Sequence, residues 1–221
     1  MKPFYHALFD WDTHTKHYFS SHDDLASFHA DMLSRVLERI SGRLGNPDIL
    51  VLKDPYLTQG FEHVARLVPS AKFAVMIRDP RDAILSRIEV HRRLAGAEPT
   101  RDEVGNFCND YCNAYRSVLH FREELHRRMI FIDYRDLVSG RVGPQVEQLG
   151  IMDVDPDMIW LDAVTDINQY AADPWSTHLY GQKISDQSLD RYRTALGEEW
   201  RTLIVERCGS TARMLNAEWF A

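Results

Sequence analysis

Apolar residues recur at helical spacing along Leu25, Phe28, Met32, Val36 and Ile40, and again along Val104, Phe107, Cys108, Tyr111, Tyr115, Val118 and Leu125. Each series predicts a helix with one face packed on a core. Three short runs rich in Val, Ile and Phe, at residues 49–52, 73–77 and 129–132, have strand length and polar ends. They do not alternate, so the expectation is strands buried on both faces, as in a parallel sheet. Helical patterns at about residues 58–67, 81–94 and 104–127 separate these runs, which is the alternation of an α/β fold. After Tyr134 no buried strand is expected. Pro144 and Pro156 stand where they would open short helices, and two more helices, broken near Gly197, are expected over about 186–216. Residues 166–183 read as an irregular loop, and long loops in compact domains often carry function. With no repeat and no linker, the 221 residues are expected to form a single domain, 1–221.

Composition narrows the partners. No stretch reaches the roughly 18 consecutive apolar residues of a membrane span, and residues 1–12 have no signal-peptide pattern, so a cytoplasmic location with no membrane span is expected. Cysteines number three, and Cys108 and Cys112 fall four apart on one helix, where a disulfide is not favoured; reduced thiols are expected. The formal net charge of −7 argues against broad binding to nucleic acid or anionic membrane. A polyanionic ligand would therefore need a local basic cluster, and Arg78, Arg81, Arg87, Arg92 and Arg93 supply one among only three carboxylates.

The densest chemistry lies at residues 73–87. A strand is expected to end at Arg78, Asp79 to cap the next helix, Pro80 to occupy its first turn and Asp82 to sit near its positive end. Ligands of open α/β sheets bind beyond the carboxyl ends of strands, where Arg78 would stand. Ser86 follows about two helical turns, or roughly 10 Å of rise, further on. A guanidinium and a hydroxyl so placed can bracket one phosphate. The plainer alternative is a surface Arg78 paired with Asp82 and a Ser86 bonded back into its own helix.

The run Arg78-Asp79-Pro80-Arg81-Asp82 with Ser86 resembles the segment by which sulfotransferases hold the 3′-phosphate of 3′-phosphoadenosine 5′-phosphosulfate. The order of other elements is similar: Lys53-Asp54-Pro55 resembles the family's Lys-containing strand end, and Pro69-Ser70-Ala71-Lys72-Phe73 its approach to the phosphate-binding strand. Ile132-Asp133-Tyr134-Arg135-Asp136-Leu137, followed by a short helix ending in Leu149-Gly150-Ile151, resembles its Tyr-acidic-Leu element, and Lys183-Ile184-Ser185 through Arg191-Tyr192-Arg193 and Leu196 its closing helices. The resemblance implies a three-layer α/β/α domain with a parallel sheet, of the P-loop nucleoside-kinase-like kind. It implies transfer of a sulfuryl group from that nucleotide, as co-substrate, to an acceptor hydroxyl or amine on a small molecule, carbohydrate or peptide, with no metal. Carried over by position, Arg78 and Ser86 would hold the 3′-phosphate, Tyr134 would lie near the adenine, and Lys53 would stand near the transfer centre.

Two departures qualify that picture. Sulfotransferases begin with a strand and a Gly- and Ser/Thr-containing loop whose N–H groups cradle the 5′-phosphosulfate. Here the first glycine is Gly42, so an N-terminally incomplete or loop-less domain is expected, and its competence as an enzyme hangs on that loop. A His often follows the strand-end Lys as base, whereas this chain has Asp54, Pro55 and Tyr56; Asp54 is either the base or a turn residue. The rival readings are a non-catalytic nucleotide- or partner-binding module of the same fold and a metal hydrolase built on Asp10, Asp12, His14, His17 and His22. Tyr111, Tyr115 and Phe121 read as core or as lining of an acceptor pocket. The acceptor and the oligomeric state stay open.

Overall fold

The computed structural model describes residues 15–53, 57–151 and 184–215. The chain divides into two compact units, residues 1–71 and 72–221.

In the first unit, α1 (His22–Arg43) starts at Ser21, whose hydroxyl accepts the Asp24 N–H, with Asp23 and Asp24 in the positively polarised first turn. It packs on α2 (Phe61–Leu67), which contributes the buried Phe61 and Ala65. Two sequence expectations fail here. Residues 49–52 form no strand, and Val51 is 73% exposed. An apolar run specifies a strand only when a neighbour takes its backbone N–H and C=O groups, and among the described residues none does. Along α1 only Leu25 is buried, while Phe28, Met32 and Val36 are about half exposed, so the apolar face expected to pack on a core lies open.

The second unit carries a parallel pair, β1 (Phe73–Ile77) and β2 (Met129–Asp133), in register from Phe73↔Met129 to Ile77↔Asp133. Between them run α3 (Pro80–Ala95) and α4 (Arg101–His120), as the alternation predicts. Phe73, Val75 and Ile77 are buried but Ala74 and Met76 are exposed, which corrects the expectation that this strand is covered on both faces. The Phe73 N–H donates to the Arg128 carbonyl (2.6 Å), so odd-numbered residues of β1 face β2 and the backbone groups of Met76 and Arg78 turn to the opposite edge. Two phenols cover that edge: Tyr115 donates to the Met76 carbonyl (3.0 Å) and Tyr111 to the Arg78 carbonyl (2.9 Å).

Helix α3 ends at Gly96 in the left-handed region, with φ 66°, and α4 opens on a reciprocal cap between Thr100 and Glu103. Two short helices follow β2, α5 (Tyr134–Val138) and α6 (Gly143–Glu147), with Pro144 in the first turn of α6 as expected. Leu137, Val142, Val146, Leu149 and Ile151 pack on Ile130 and Ile132, and the Lys72 ammonium donates to the Leu149 carbonyl (2.9 Å). A short turn of helix at Asp186–Ser188 leads to α7 (Tyr192–Ala195) and, after the break at Gly197, to α8 (Glu198–Leu215). The latter packs its buried Leu203, Ile204, Cys208 and Ala212 across α3 and α4. Cys108, Cys112 and Cys208 are all free thiols. Pro156 and the loop at 166–183 lie outside the described residues. Among the described residues no helix is long and apolar enough to cross a membrane.

Candidate functional site

Where β1 runs out, the sequence stops a strand and starts a helix within three residues. Asp79 accepts the Arg81 N–H (2.8 Å) as N-cap, and Pro80 takes the first helical position, where its missing N–H costs nothing. The cap is reinforced by the Arg81 guanidinium, which folds back on the Asp79 carboxylate with contacts of 2.6–3.2 Å. Arg81 is thereby committed to shaping the turn. Arg78 is not.

The Arg78 side chain projects from the carboxyl end of β1 over the Tyr134 ring, 5.0 Å from its centroid. One terminal nitrogen donates to the Ser188 carbonyl (2.8 Å), and the Tyr134 hydroxyl shares a hydrogen bond with the Ser188 hydroxyl (2.8 Å). Its Nε is buried and makes no hydrogen bond among the described residues. A buried guanidinium N–H without an acceptor is costly, and an anion placed beside it would remove that cost. Arg78 and Tyr134, two of the residues singled out from the sequence, thus come together around a third, Ser188, that the sequence did not single out.

The alternative pairing of Arg78 with Asp82 is not what holds Asp82. That carboxylate is 2% exposed and accepts the backbone N–H of Asp190 (2.8 Å) and of Tyr192 (3.1 Å). Burial pushes its pKa above the ordinary carboxylate value, against the opposing pull of the Tyr192 N–H, the Arg78 charge and the Asp190 N–H. Further contacts hold the same segment. Arg135 grips the Asp190 carboxylate through both terminal nitrogens, each at 3.1 Å, Arg191 pairs with Glu89, and Arg81 lies 4.2 Å from the centroid of the Tyr192 ring. Residues 188–192 therefore form a clasp over the start of α3, with Asp190 itself at a φ of 54°. A cleft of about 510 Å³ opens beside it between Arg81, Tyr192, Arg193 and Arg201, away from Arg78.

Ser86 stands on α3 four residues after Asp82 and three before Glu89, so by helical spacing it shares the face that the clasp covers. It is half-buried and forms no hydrogen bond to Arg78 among the described residues. Lys53 lies in the first unit, exposed and outside any helix or strand. Asp54 falls outside the described residues, as do Asp10, Asp12 and His14 of the candidate metal cluster. Tyr111 and Tyr115 stack edge to face, 5.0 Å apart, with their hydroxyls on backbone carbonyls. Burial raises the pKa of Tyr115 to about 12 and pushes that of Tyr111 up as well, which keeps both phenols protonated as donors. They are structural residues of the strand end.

These features define a mixed α/β protein with a small parallel sheet and a cationic, helix-opening strand end. The sulfotransferase family model matches residues 2–148, most of the chain, and the protein belongs to the sulfotransferase family. No curated protein and no solved structure matches it.

Proposed function

We propose that the protein binds 3′-phosphoadenosine 5′-phosphosulfate and serves transfer of its sulfuryl group to an acceptor hydroxyl or amine on a small molecule, carbohydrate or peptide. In this reading the Arg78 guanidinium takes the 3′-phosphate, Ser86 adds a neutral donor, and Tyr134 lies against the adenine. Lys53 stabilises charge on the bridging oxygen and Asp54 takes the acceptor proton. The acceptor oxygen or nitrogen forms its bond to sulfur as the bond from sulfur to the 5′-phosphate oxygen breaks, and adenosine 3′,5′-bisphosphate leaves with that electron pair. Positioning and fixed positive charge supply catalysis, with no metal in the step. The same reading takes residues 1–221 as one three-layer, P-loop-type domain acting in the cytoplasm.

One observation carries it: Arg78 follows a parallel strand and lies over an aromatic ring with a buried N–H that finds no acceptor among the described residues. Family membership supports the chemistry. A second reading, nucleotide binding without transfer, rests on the same Arg78 contact and dispenses with the transfer step.

Calorimetry tests the shared part. Adenosine 3′,5′-bisphosphate should bind at least about tenfold more tightly than adenosine monophosphate, a difference of about 1.4 kcal/mol, and Arg78→Ala should abolish the preference with the fold intact. Equal affinities would overturn both readings. A radiolabelled sulfate-transfer assay over phenols, alcohols and amines then separates them, since turnover supports the enzyme and binding without turnover supports the module.

A further inference from the structure

Three thiols meet where α8 lies along α4, and sulfuryl transfer as proposed above uses none of them. They are all the cysteines the chain has. Cys108 and Cys112 stand about one turn apart on α4, and Cys208 faces them from α8. The Cys208 thiol donates to the Cys108 carbonyl (3.8 Å), and the Cys112 thiol donates to the carbonyl of Arg207, the residue before Cys208 (3.6 Å). Cys208 also lies within hydrogen-bond reach of the thiols of both Cys108 and Cys112.

The two partners on α4 are not equivalent. Within a helix the carbonyl of one residue points at the N–H four residues on, so a sulfur seated on the Cys108 carbonyl lies beside the Cys112 backbone. The Cys112 Cβ tilts back towards the helix amino terminus, over that same turn. Cys108 and Cys208 are fully buried, whereas Cys112 is half-buried among the described residues, so Cys112 is the thiol that a small solute meets first. Hydrogen bonding with the Cys108 thiol, and burial after it, push the Cys208 pKa up. A thiol held protonated is slow towards dissolved oxidants and depends on contact with an oxidised neighbour.

We propose that hydrogen peroxide oxidises Cys112 and that Cys208 resolves the product into a Cys112–Cys208 disulfide, which staples α8 to α4. In the first step a bond forms between the Cys112 sulfur and a peroxide oxygen as the O–O bond breaks, giving a sulfenic acid and one water. In the second the Cys208 sulfur bonds to the Cys112 sulfur, the S–O bond breaks, and hydroxide leaves with the Cys208 proton as a second water. One peroxide thus takes the two electrons of one disulfide. The bridge closes a loop of roughly a hundred residues that contains β2, α5, α6 and the clasp at 188–192, and closing so long a loop restricts the unfolded chain.

Peptide mapping of the full chain tests this. Native protein treated with hydrogen peroxide, then alkylated in denaturant, should yield Cys112 and Cys208 peptides joined by a disulfide, with Cys108 alkylated. Its melting midpoint should rise by at least about 4 °C and return on treatment with dithiothreitol. Cys108→Ala should keep both the link and the rise. Cys112→Ser, a change at a half-buried position, should lose both, as should Cys208→Ala. A link through Cys108, oxidation of Cys112 that runs on to sulfinic acid, or thiols untouched by peroxide in the native protein overturns the proposal. So does a linked protein that melts no higher than the reduced one.

Discussion

Asp82 shows how one residue can be placed correctly by sequence and still be misread. Its position in the first turn of α3 suits a carboxylate, and that much is visible from Pro80 alone. Its partners, the Asp190 and Tyr192 N–H groups, lie more than a hundred residues away and have no local signature. Asp82→Ala should strand both donors and cost about 2–4 kcal/mol of stability by urea denaturation. The pH dependence carries a sign. The folded-state pKa is raised, so the contribution of this group is fully present below the ordinary carboxylate value and declines as pH rises through the folded value. The stability of the wild type minus that of Asp82→Asn should therefore fall with rising pH across that window. A difference that grows with pH would mean that the two N–H donors outweigh burial.

At the scale of elements, what could be read locally is what formed locally. The start of α3 is written in Asp79-Pro80 and appears where those residues predict, and its end at Gly96 and the start of α4 on Thr100 and Glu103, not singled out from the sequence, obey equally local rules. Gly96→Ala has room for the methyl group but not for the backbone angle; it should cost about 1–2 kcal/mol, read as a lowered melting midpoint. Where an element depends on a neighbour, the sequence misled. The run at 49–52 has the composition of the other two strands and finds no strand partner among the described residues, and α1 has the periodicity of a core helix although Phe28, Met32 and Val36 on it are about half exposed. Of the candidate site, Arg78 could be picked out because strand ends in α/β proteins carry ligand chemistry, and Tyr134 only through the family resemblance. Ser188 could not be, because only the clasp brings it to them.

Over the whole molecule, the second unit owes its solidity to α8 lying across α3 and α4, and its fully buried Ile204 is the point at which that packing is most sensitive. Ile204→Ala should destabilise the protein by about 2–5 kcal/mol in a denaturant titration, spread over the unit rather than confined to the helix. Because the clasp at residues 188–192 directly precedes α7 and α8, the same substitution should also weaken bisphosphate binding in calorimetry, although Ile204 lies within a helix core. Unchanged affinity in a destabilised protein would separate the clasp from the packing behind it.

The two phenols beside β1 have a meaning for the protein's life in a crowded solution. Among the described residues β1 is an outer strand, and such a strand, with an exposed face like that at Ala74 and Met76, is a template on which an extended chain can align. Tyr115 and Tyr111 fill two carbonyl acceptors at its end with side-chain donors that belong to the same molecule and cannot propagate a ladder. Among the described residues the carboxyl-terminal end of that edge is capped from within, which hinders strand-by-strand aggregation where β1 gives way to Arg78.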